Sequence, residues 1–491
     1  MKTLGALVDA WPGAQLVQGD REIAVEGLVL DSRRAGPGTL FAALAGHRED
    51  GARYVDDARR RGAVAVLSGR RLALPGELAL VVADDPRAAL AAMARRLFGE
   101  PDERLDVVGV TGTDGKTTTV ELIRAALEGA GIPASTAGTL GFRIGSAARP
   151  ADLTTPEAPE VWRFLADAEA AGARAAALEV SSIALDERRV TGLRWRGAVL
   201  TSLGRDHLDY HGSPERYHEA KRTLFHDLDA GAFAVLPREI ADRPEWSAAV
   251  PPARLITVGR DERADWRVCA HRARLGGASF RLEGPGFAQE VDTARPAPWD
   301  ALNLAAAVAA ASALGADPRA AVGAAAALGQ VPGRWQVVDE GQPFAAIVDF
   351  AHTPDAVGRV VGLAAQLAAG RVISVLGAGG GRDPGKRRPM GRAAGAHAGL
   401  VIVTDDNPRG EDPESIAAEL VAGVREAGAA VERIPDRAGA IVEAVERARP
   451  GDVVLVLGKG HETTQRIGER VIASDDRELL RDALRRAGKA S

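Results

Sequence analysis

Short apolar runs, separated by turn residues and by stretches with helical spacing, recur along the whole chain. Uninterrupted apolar runs bounded by glycine and polar residues are typical of strands buried in a parallel sheet. Their alternation with helical stretches predicts an α/β fold with crossover helices. The predicted strands are Glu26–Leu30, Ala63–Leu67, Leu78–Val82, Leu105–Val110, Ala175–Glu179, Ala198–Leu203, Ala345–Phe350, Val372–Leu376, Leu400–Thr404 and Val453–Leu457.

Two breaks in this pattern divide the chain into three predicted domains. The segments Phe98–Pro101 and Val331–Arg334 combine glycine and proline, which interrupt helices and strands. A chain of 491 residues is long enough for several hydrophobic cores. We therefore expect a small α/β domain over residues 1–102, a central parallel-sheet domain over 103–332 and a Rossmann-like domain over 333–491.

Composition narrows the classes of function. Hydrophobic residues make up 46% and charged residues 26% of the chain, which is the balance of a globular protein. The net charge of −5 gives no electrostatic basis for binding nucleic acid or an anionic membrane. Cys269 is the single cysteine, so an intramolecular disulfide is excluded. The N-terminus lacks a signal-peptide pattern, and we expect a cytoplasmic protein.

Lysine is rare in this chain, and arginine is the usual cation. The lysines are Lys2, Lys116, Lys221, Lys386, Lys459 and Lys489. Arginine is planar and never neutral, so a retained lysine points to chemistry that arginine cannot supply. The four internal lysines all fall within the motifs described below.

A glycine-rich loop follows the strand Val107–Val110 and precedes a helix predicted to begin near Thr119. Such a loop turns backbone N–H groups toward phosphate oxygens, and the helix N-terminus adds favourable partial charge. Lys116 is predicted to reach the outer phosphates and Thr117 to bind Mg²⁺. The standard P-loop glycine is replaced by Val110. The predicted ATP-binding residues of the loop are Gly112, Thr113, Asp114, Gly115, Lys116, Thr117 and Thr118.

Three motifs of the same domain carry candidate metal ligands: Leu178–Ser182, Asp206–His211 and Tyr217–Lys221. Glu179 is the last residue of a predicted strand and His207 follows another. A carboxylate and a neutral imidazole in these positions are reasonable ligands for Mg²⁺ beside ATP. On pattern alone, Lys221 would be a solvated residue on a helix.

The loop Thr-Gly-Thr-x-Gly-Lys-Thr-Thr resembles that of the Mur ligases of peptidoglycan synthesis, and the resemblance extends over essentially the whole chain. The family usually has asparagine at Asp114, whose side chain we expect to point away from the phosphates. The resemblance implies that Lys221 reacts with CO₂ to become an anionic carbamate. It implies two Mg²⁺ sites, one at Thr117 and Glu179 and one at His207 and carbamylated Lys221. The implied catalytic residues are Lys116, Glu179, His207 and Lys221.

The resemblance also implies sites for the other substrates. The motifs Leu30–Arg33, Pro37–Phe41 and Gly46–Gly51 resemble the UDP-sugar-binding domain of the family, with Ser32 and His47 near the uridine. The implied contacts to the UDP-linked peptide come from Thr154, Thr155, Ser181, Glu187 and Arg189. Ile183 stands where the family usually has histidine, and Glu187 where some members have glutamine. The implied additional ATP contacts come from Asn303, Arg334 and Asp349, although Trp299–Asn303 departs from the usual Phe-Asn pattern.

The C-terminal motifs Gly379–Asp383, Gly385–Arg387, Asp405–Arg409 and Gly458–Glu462 resemble the third-substrate site of family members that add the third residue of the stem peptide. Asp-Asn-Pro-Arg is typical of members that add meso-diaminopimelate, because a guanidinium can bind its second α-carboxylate bidentately. L-Lysine and L-ornithine remain alternatives. The implied binding residues are Arg382, Asp406, Asn407, Pro408, Arg409, Gly458 and Glu462.

The implied activity is ATP-dependent amide synthesis through an acyl phosphate, by a monomer acting on UDP-MurNAc-L-Ala-D-Glu, ATP and meso-diaminopimelate. A folylpolyglutamate synthase shares the loop but not the N-terminal unit, and the D-Ala-D-Ala-adding Mur ligase does not match the C-terminal motifs. A P-loop kinase or regulatory NTPase is the alternative from another enzyme class. A non-catalytic binding module is disfavoured because every candidate metal ligand is present.

Overall fold

Three large β-sheets of five, eleven and six strands, each with flanking helices, succeed one another in the computed structural model, which describes residues 1–46, 49–250 and 254–490. Each sheet lies within one of the three predicted ranges, and the predicted α/β fold is confirmed. The domain boundaries at 102 and 332 stay predictions. Among the described residues, no helix combines the length and the apolar character needed to cross a membrane.

The N-terminal sheet has the strand order β2-β7-β6-β5-β4, in which β4 to β7 are parallel and β2 is antiparallel to β7. Helix α3 begins at Pro86 because the Asp85 carboxylate caps its first turn. The strands are β1 Lys2–Thr3, β2 Ala14–Gln18, β3 Ala24–Val25, β4 Gly27–Val29, β5 Thr39–Ala42, β6 Ala65–Ser68 and β7 Ala79–Ala83. The helices are α1 Leu4–Val8, α2 Val55–Arg60 and α3 Pro86–Leu97.

The central sheet has the order β11-β10-β9-β12-β8-β13-β14-β15-β16-β17-β18. Its strands are β8 Asp106–Thr111, β9 Ala134–Gly138, β10 Gly141–Ile144, β11 Ala147–Arg149, β12 Ala175–Glu179, β13 Trp195–Leu200, β14 Phe233–Pro237, β15 Leu255–Gly259, β16 Trp266–Arg274, β17 Gly277–Gly284 and β18 Phe287–Thr293. The helices are α4 Lys116–Gly129, α5 Ala158–Ala170, α6 Ser182–Asp186, α7 Leu208–His211, α8 Pro214–His226, α9 Arg238–Ala241, α10 Pro244–Ser247, α11 Pro298–Ala313 and α12 Pro318–Ala327.

The two edges of this sheet depart from the parallel pattern predicted from sequence. Strands β10 and β11 at one edge, and β17 and β18 at the other, are antiparallel to their neighbours. Turns of only two residues join β16 to β17 and β17 to β18, which suffices for a hairpin but not for a parallel crossover. These strands alternate exposed and buried residues, so they lack the continuous apolar runs on which the strand predictions rested.

The parallel centre of the sheet brings the predicted motifs together. Glu179 at the end of β12 pairs with Val110 of β8, and Leu200 at the end of β13 pairs with Thr111. The loops that follow these three strands therefore leave the sheet at one edge, where ligands bind in open α/β sheets.

The C-terminal sheet has the order β19-β20-β24-β21-β22-β23 and is parallel except for β19. Helices cover both faces, as in a Rossmann-like fold, and the strands of its centre are buried. The strands are β19 Gln336–Val337, β20 Ala345–Asp349, β21 Val372–Leu376, β22 Leu400–Val403, β23 Ala430–Arg433, β24 Val453–Leu457, β25 Thr464–Ile467 and β26 Arg470–Ala473. The helices are α13 Pro354–Leu367, α14 Arg387–Gly395, α15 Pro413–Glu426, α16 Arg437–Glu446 and α17 Asp476–Ala490.

Candidate active site

A cavity of about 370 Å³ lies between the central and C-terminal sheets. Its wall combines the phosphate loop, the end of β12 and loops of the C-terminal domain. The predicted site residues that line it are Thr113, Asp114, Gly115, Lys116, Thr117, Thr118, Thr154, Glu179, Ser181, His207, Asn303, Arg334, Asp349, Arg382, Asp406, Asn407, Arg409, Gly458 and Glu462. The structure thus gathers residues that are far apart in sequence into one site.

The phosphate loop joins β8 directly to α4. The helix begins at Lys116, three residues before the predicted start near Thr119, so Lys116, Thr117 and Thr118 form its first turn. Gly115 has a φ of +89°, and a Cβ at this position would lie 2.8 Å from the Asn303 side-chain oxygen. Only glycine combines this left-handed backbone with the close approach of Asn303. The loop has the geometry of an anion site at a helix N-terminus.

Two cations converge on this loop. The Lys116 Nζ donates hydrogen bonds to the carbonyl oxygens of Gly112 and Thr113, both at 2.9 Å. Burial lowers the pKa of Lys116. Arg334 enters from the segment just before the C-terminal sheet and donates from Nη2 to the Thr117 hydroxyl oxygen at 3.1 Å. Both cationic groups border the cavity beside the loop.

Glu179 and Thr117 form the candidate metal site. The Thr117 hydroxyl donates to Glu179 Oε2 at 3.1 Å, and the Glu179 residue is 2% exposed. Burial raises the pKa of Glu179, while Lys116 opposes that rise. Thr139, which the sequence analysis did not identify, donates to the same carboxylate from its N–H at 2.8 Å and its hydroxyl at 3.1 Å. These contacts fix the carboxylate toward the cavity.

The donor set fits Mg²⁺ only in combination with a substrate. Among residues 1–46, 49–250 and 254–490, no group of three or more His, Cys, Asp or Glu side chains is arranged to hold a metal ion. Thr117 and Glu179 supply one hydroxyl and one carboxylate. Mg²⁺ is typically held by one or two protein oxygens completed by phosphates and water, so these two residues fit the ion beside a nucleotide.

Lys221 is buried, contrary to the solvated position that its helical pattern alone predicts. It lies on α8 with 1% of the residue exposed. Its Nζ donates to the Gly112 carbonyl oxygen at 3.0 Å and lies 4.1 Å from the centre of the Tyr217 ring. Burial first, and then the charge of Lys116, lower the pKa of Lys221 well below its usual value. Lys221 forms no ion pair with an acidic residue in the described part of the chain.

His207 lies at the mouth of the cavity, in a left-handed conformation with φ of +52° at the start of α7. Its Nε2 is 3.4 Å from an Asp206 carboxylate oxygen, and His352 approaches the same carboxylate at 3.8 Å. Partial burial lowers the pKa of His207, although Asp206 opposes this. The neutral imidazole that a metal ligand requires is therefore the favoured form.

The predicted peptide-binding residues separate into a surface and its support. Thr154 and Ser181 line the cavity. Behind them, the buried Thr155 hydroxyl accepts from the Ser181 N–H at 2.9 Å. Arg189 donates to the Thr155 carbonyl oxygen at 2.9 Å and forms an ion pair with Glu187. These supporting residues fix the strand-to-helix turn that presents Ser181.

Arg87, on α3 of the N-terminal domain, approaches this cluster but was not predicted. Its guanidinium lies 3.9 Å from carboxylate oxygens of both Glu157 and Glu187. Nothing in the helical pattern around Arg87 distinguishes it from a solvated residue.

Of the two predicted uridine contacts, Ser32 lies elsewhere. The Ser32 hydroxyl donates to an Asp57 carboxylate oxygen at 2.8 Å, and Ser32 does not line the cavity described above. His47 lies outside the described residues. The uridine site therefore stays a prediction.

The Asp-Asn-Pro-Arg loop is held by the hairpin of β25 and β26. Arg409 has a φ of +54°, its N–H donates to the Arg466 carbonyl oxygen at 3.0 Å and its carbonyl accepts from Gly468. Its Nη1 donates to the Gly380 carbonyl oxygen at 2.6 Å. Burial lowers the pKa of the Arg409 guanidinium, and the positive charge of nearby Arg382 lowers it further. The hairpin thus fixes a guanidinium at the cavity wall.

Asn407 has its amide orientation set by three neighbours. The side-chain oxygen accepts from the Arg466 N–H at 2.8 Å, and the nitrogen donates to Glu462 and Asp406 carboxylate oxygens at 2.9 Å each. Pro408 does not line the cavity; its carbonyl oxygen accepts from the Glu411 N–H. The predicted contact of Pro408 with a substrate stays a prediction, and the residue belongs to the turn that presents Arg409.

Asp349 also fixes the backbone on either side of β20. Its carboxylate accepts from the N–H groups of Trp335 at 2.6 Å and of Ala351 at 2.8 Å. Asn303, by contrast, faces the loop at Gly115. Cavity residues that the sequence analysis did not assign to the site include Thr139, Trp299, Lys386 and Arg359. Among these four residues, the sequence marked only Lys386 as unusual, because lysine is scarce in this chain.

Comparison with known families matches three successive parts of the chain. Residues 24–97 match the family model described as Mur ligase family, catalytic domain. Residues 110–311 match the Mur ligase middle domain, and residues 333–460 match the Mur ligase, glutamate ligase domain.

Two curated relatives are similar over nearly the whole chain, and both are named UDP-N-acetylmuramoyl-L-alanyl-D-glutamate–2,6-diaminopimelate ligase. The protein of Geobacillus kaustophilus is 40% identical over 470 residues, covering 94% of this chain and 95% of the relative. The protein of Streptomyces coelicolor is 40% identical over 479 residues, covering 95% of this chain and 94% of the relative.

Solved structures give the same result. A structure of a UDP-N-acetylmuramoyl-L-alanyl-D-glutamate–2,6-diaminopimelate ligase is 32% identical, with a TM-score of 0.68 over 99% of this chain and all of the other. The Thermotoga maritima MurF ligase in complex with ADP shares the fold at 21% identity, with a TM-score of 0.67 over 96% of this chain and 100% of that one. A Mycobacterium tuberculosis folylpolyglutamate synthase covers only 75% of this chain, with a TM-score of 0.61. The chain belongs to the Mur ligase family.

Proposed function

We propose that this chain is the ATP-dependent ligase that joins meso-diaminopimelate to the D-Glu carboxylate of UDP-MurNAc-L-Ala-D-Glu. The full-length relatives that bear this name support the proposal. The observation that carries it is the position of Arg409 and Arg382 in the same cavity as the phosphate loop. An ATP-activated carboxylate and an amino acid with a free carboxylate can meet in such a cavity.

The first step transfers the γ-phosphate of ATP to the D-Glu carboxylate. A carboxylate oxygen forms a bond to phosphorus, the bond to the β-phosphate oxygen breaks, and ADP leaves. Lys116, the first turn of α4 and Arg334 are placed to stabilise the negative charge of the phosphoryl group. Thr117 and Glu179 would hold Mg²⁺ beside the nucleotide, where the ion would supply further positive charge.

In the second step the neutral amine of diaminopimelate attacks the acyl carbon. A carbon–nitrogen bond forms, the bond to the phosphate oxygen breaks, the amine loses a proton and inorganic phosphate leaves. Arg409 binds the distal α-carboxylate of diaminopimelate. Asn407 and Glu462 face the ammonium and carboxylate groups at the same end of that amino acid. We expect closure of the two domains that bound the cavity to protect the acyl phosphate from water.

Lys221 is the group that becomes a carbamate in this proposal. The reaction needs a neutral amine, and burial without an acidic partner favours that form. The neutral nitrogen attacks CO₂, a carbon–nitrogen bond forms and the nitrogen loses a proton, which leaves an anionic carbamate whose oxygens, with His207, would suit a second Mg²⁺. Ser32 and His47 are assigned to the UDP group, and Thr154, Ser181 and Arg189 to the peptide. We further propose a cytoplasmic monomer.

The test is phosphate release from Mg-ATP in the presence of UDP-MurNAc-L-Ala-D-Glu, with meso-diaminopimelate, L-lysine or L-ornithine as the third substrate. Dependence on diaminopimelate alone is expected. Arg409→Met should raise the KM for diaminopimelate by roughly 10- to 200-fold, since a buried guanidinium–carboxylate pair contributes about 1.5–3 kcal/mol. Arg392→Gln, which removes an exposed arginine paired with Glu426, is the matched control.

The outcomes separate the alternatives. A preference for lysine or ornithine keeps the ligase and overturns the role of Arg409. Phosphate release that needs none of the three amino acids overturns the ligase and favours an NTPase. Unchanged diaminopimelate kinetics in Arg409→Met would mean that another group binds the carboxylate.

A further inference from the structure

Asp114 places a carboxylate in the phosphate loop, next to Gly115 and the first turn of α4. Its backbone is fixed by the loop that follows β13, because its N–H donates to Ser202 Oγ at 2.9 Å and its carbonyl accepts from the same hydroxyl at 3.1 Å. The residue therefore cannot leave the loop without breaking these bonds, and its charge stays at the wall of the cavity.

That charge opposes the function of the loop. A helix N-terminus and Lys116 attract phosphate, whereas a carboxylate beside them repels it. The field of Asp114 reaches the neighbouring cations, since it acts to raise the pKa of both Lys116 and Lys221. An uncompensated Asp114 would therefore act against a bound triphosphate as well.

Arg359, on α13 of the C-terminal domain, supplies the compensating charge. Its Nη2 forms an ion pair and hydrogen bond with Asp114 Oδ2. The same guanidinium lies 5.5 Å from the centre of the Trp299 ring, at the start of α11. Both contacts cross from the C-terminal domain to the central domain, and both groups line the cavity.

We propose that Arg359 is a positioning residue for ATP binding: it neutralises Asp114 when the C-terminal domain lies against the phosphate loop. The loop then presents only cations and backbone N–H groups to the triphosphate. This inference rests on the proposed ATP-dependent function. A purely structural contact between the domains, or strut, would be lost whenever either side chain is replaced. Neutralisation differs, because Arg359 is then needed only while residue 114 carries a negative charge.

The experiment is a double-mutant cycle on Mg-ATP binding to the full chain, measured by calorimetry without the other substrates. Arg359→Gln should weaken ATP binding by roughly 5- to 10-fold, because a carboxylate near several phosphate charges is then unpaired. In the Asp114→Asn background the same substitution should change the dissociation constant by less than about twofold. Raising the ionic strength should shrink the defect of Arg359→Gln, since salt screens the repulsion.

The controls keep the result interpretable. Arg392→Gln removes an exposed arginine of the same domain and should bind ATP as the unaltered protein does. Arg359→Lys retains the charge and should restore most of the affinity, which distinguishes repulsion from a folding defect.

Several results would overturn the inference. If Arg359→Gln weakens binding equally in both backgrounds, Arg359 contacts the nucleotide directly. If Asp114→Asn is as damaging as Arg359→Gln and the double variant is no worse, the pair is a strut. An unchanged dissociation constant in Arg359→Gln also rejects it. Failure of the unaltered chain to bind ATP would instead overturn the proposed function.

Discussion

Lys221 is a buried amine whose surroundings change what it can do chemically. Its contacts are the Gly112 carbonyl oxygen and the Tyr217 ring, rather than an acidic partner. A lysine in such a position loses its proton more readily than a solvated one. The neutral amine is nucleophilic and can take up CO₂, a property that arginine at the same position would lack.

For Lys221 we expect Lys221→Ala to abolish ligase activity and added acetate or formate to restore part of it, because a free carboxylate can occupy the place of the carbamate. Lys221→Arg should be inactive and should not respond. Arg216→Gln, at an exposed position of the same helix, is the control and should retain activity. The measurement is phosphate release with and without the carboxylate. Full activity of Lys221→Arg would contradict the carbamate.

Asp300 makes stability depend on pH. It lies in the first turn of α11, and burial raises its pKa to about 7, with Arg295 opposing. The folded state therefore holds a proton that the unfolded state releases, so the stabilising contribution is present at low pH and falls as pH rises from the unfolded pKa to about 7.

Asp300→Asn should accordingly remove part of this slope. Urea unfolding at about pH 5 and about pH 8 should show the variant gaining roughly 1–4 kcal/mol relative to the unaltered protein at the higher pH. Asp292→Asn, on β18 and paired with Arg274 at the surface, is the control and should not change the slope. An unchanged pH dependence in Asp300→Asn would show that Asp300 is ionised in the folded state.

At the scale of elements, a short loop connects β8 of the central sheet to the N-terminus of α4, where we expect the nucleotide to bind. The strand β8 ends at Thr111, and the helix begins at Lys116, so only four residues form the loop. A loop this short closes only with glycine in the left-handed region at Gly115. The apolar pattern becomes periodic only further along α4. The helix start predicted from the sequence therefore lies three residues later than the start in the structure.

The requirement for glycine in this loop can be tested by substitution. Gly115→Ala should lower stability by about 1–2 kcal/mol and also abolish ATP binding, because the new methyl group meets Asn303. Gly131→Ala is matched in backbone strain, with a φ of +76° and no neighbour within 4 Å of the added Cβ. It should lose similar stability but keep ATP binding. Thermal unfolding and calorimetry give the two readouts, and retained binding in Gly115→Ala would contradict the tight fit.

At the scale of the whole molecule, the site exists only where two domains meet. Arg334 reaches Thr117 across that junction, and the Asp349 carboxylate holds the adjoining backbone. Neither domain by itself presents both the phosphate loop and the Asp-Asn-Pro-Arg loop. We therefore expect nucleotide binding to be coupled to the arrangement of the two domains.

Removal of the contact between Arg334 and Thr117 should affect both nucleotide binding and the arrangement of the domains. Arg334→Gln should weaken Mg-ATP binding by roughly 10-fold or more, since a hydrogen bond to a charged group contributes about 1.5–3 kcal/mol. In small-angle scattering, ATP should compact this variant less than the unaltered protein. Arg371→Gln, which loses contacts to Asp452 and Arg447 inside the C-terminal domain, should respond normally to ATP. Equal compaction in both variants would argue against coupling through Arg334.

The sequence by itself determined the class of fold and the local motifs. Buried parallel strands such as Ala175–Glu179, Val372–Leu376 and Val453–Leu457 were predicted with the bounds that the structure gives, because continuous apolar runs suit strands covered on both faces. The loop around Gly115 and Lys116 was also predictable. Backbone N–H groups, glycine and a helix start act over a few neighbouring residues, and a linear pattern records such relations directly.

The tertiary structure decided which side chains meet. The helical pattern around Lys221 predicts a solvated residue on α8, but the phosphate loop covers its side chain in the structure. Thr139 contacts Glu179 because β9 and β12 lie side by side in the sheet. Arg359 shares no local pattern with Asp114, yet α13 brings the two charges together across a domain junction. Burial and pairing of this kind depend on what packs against a residue from distant parts of the chain, and that information is not carried by the residue's own neighbours in sequence.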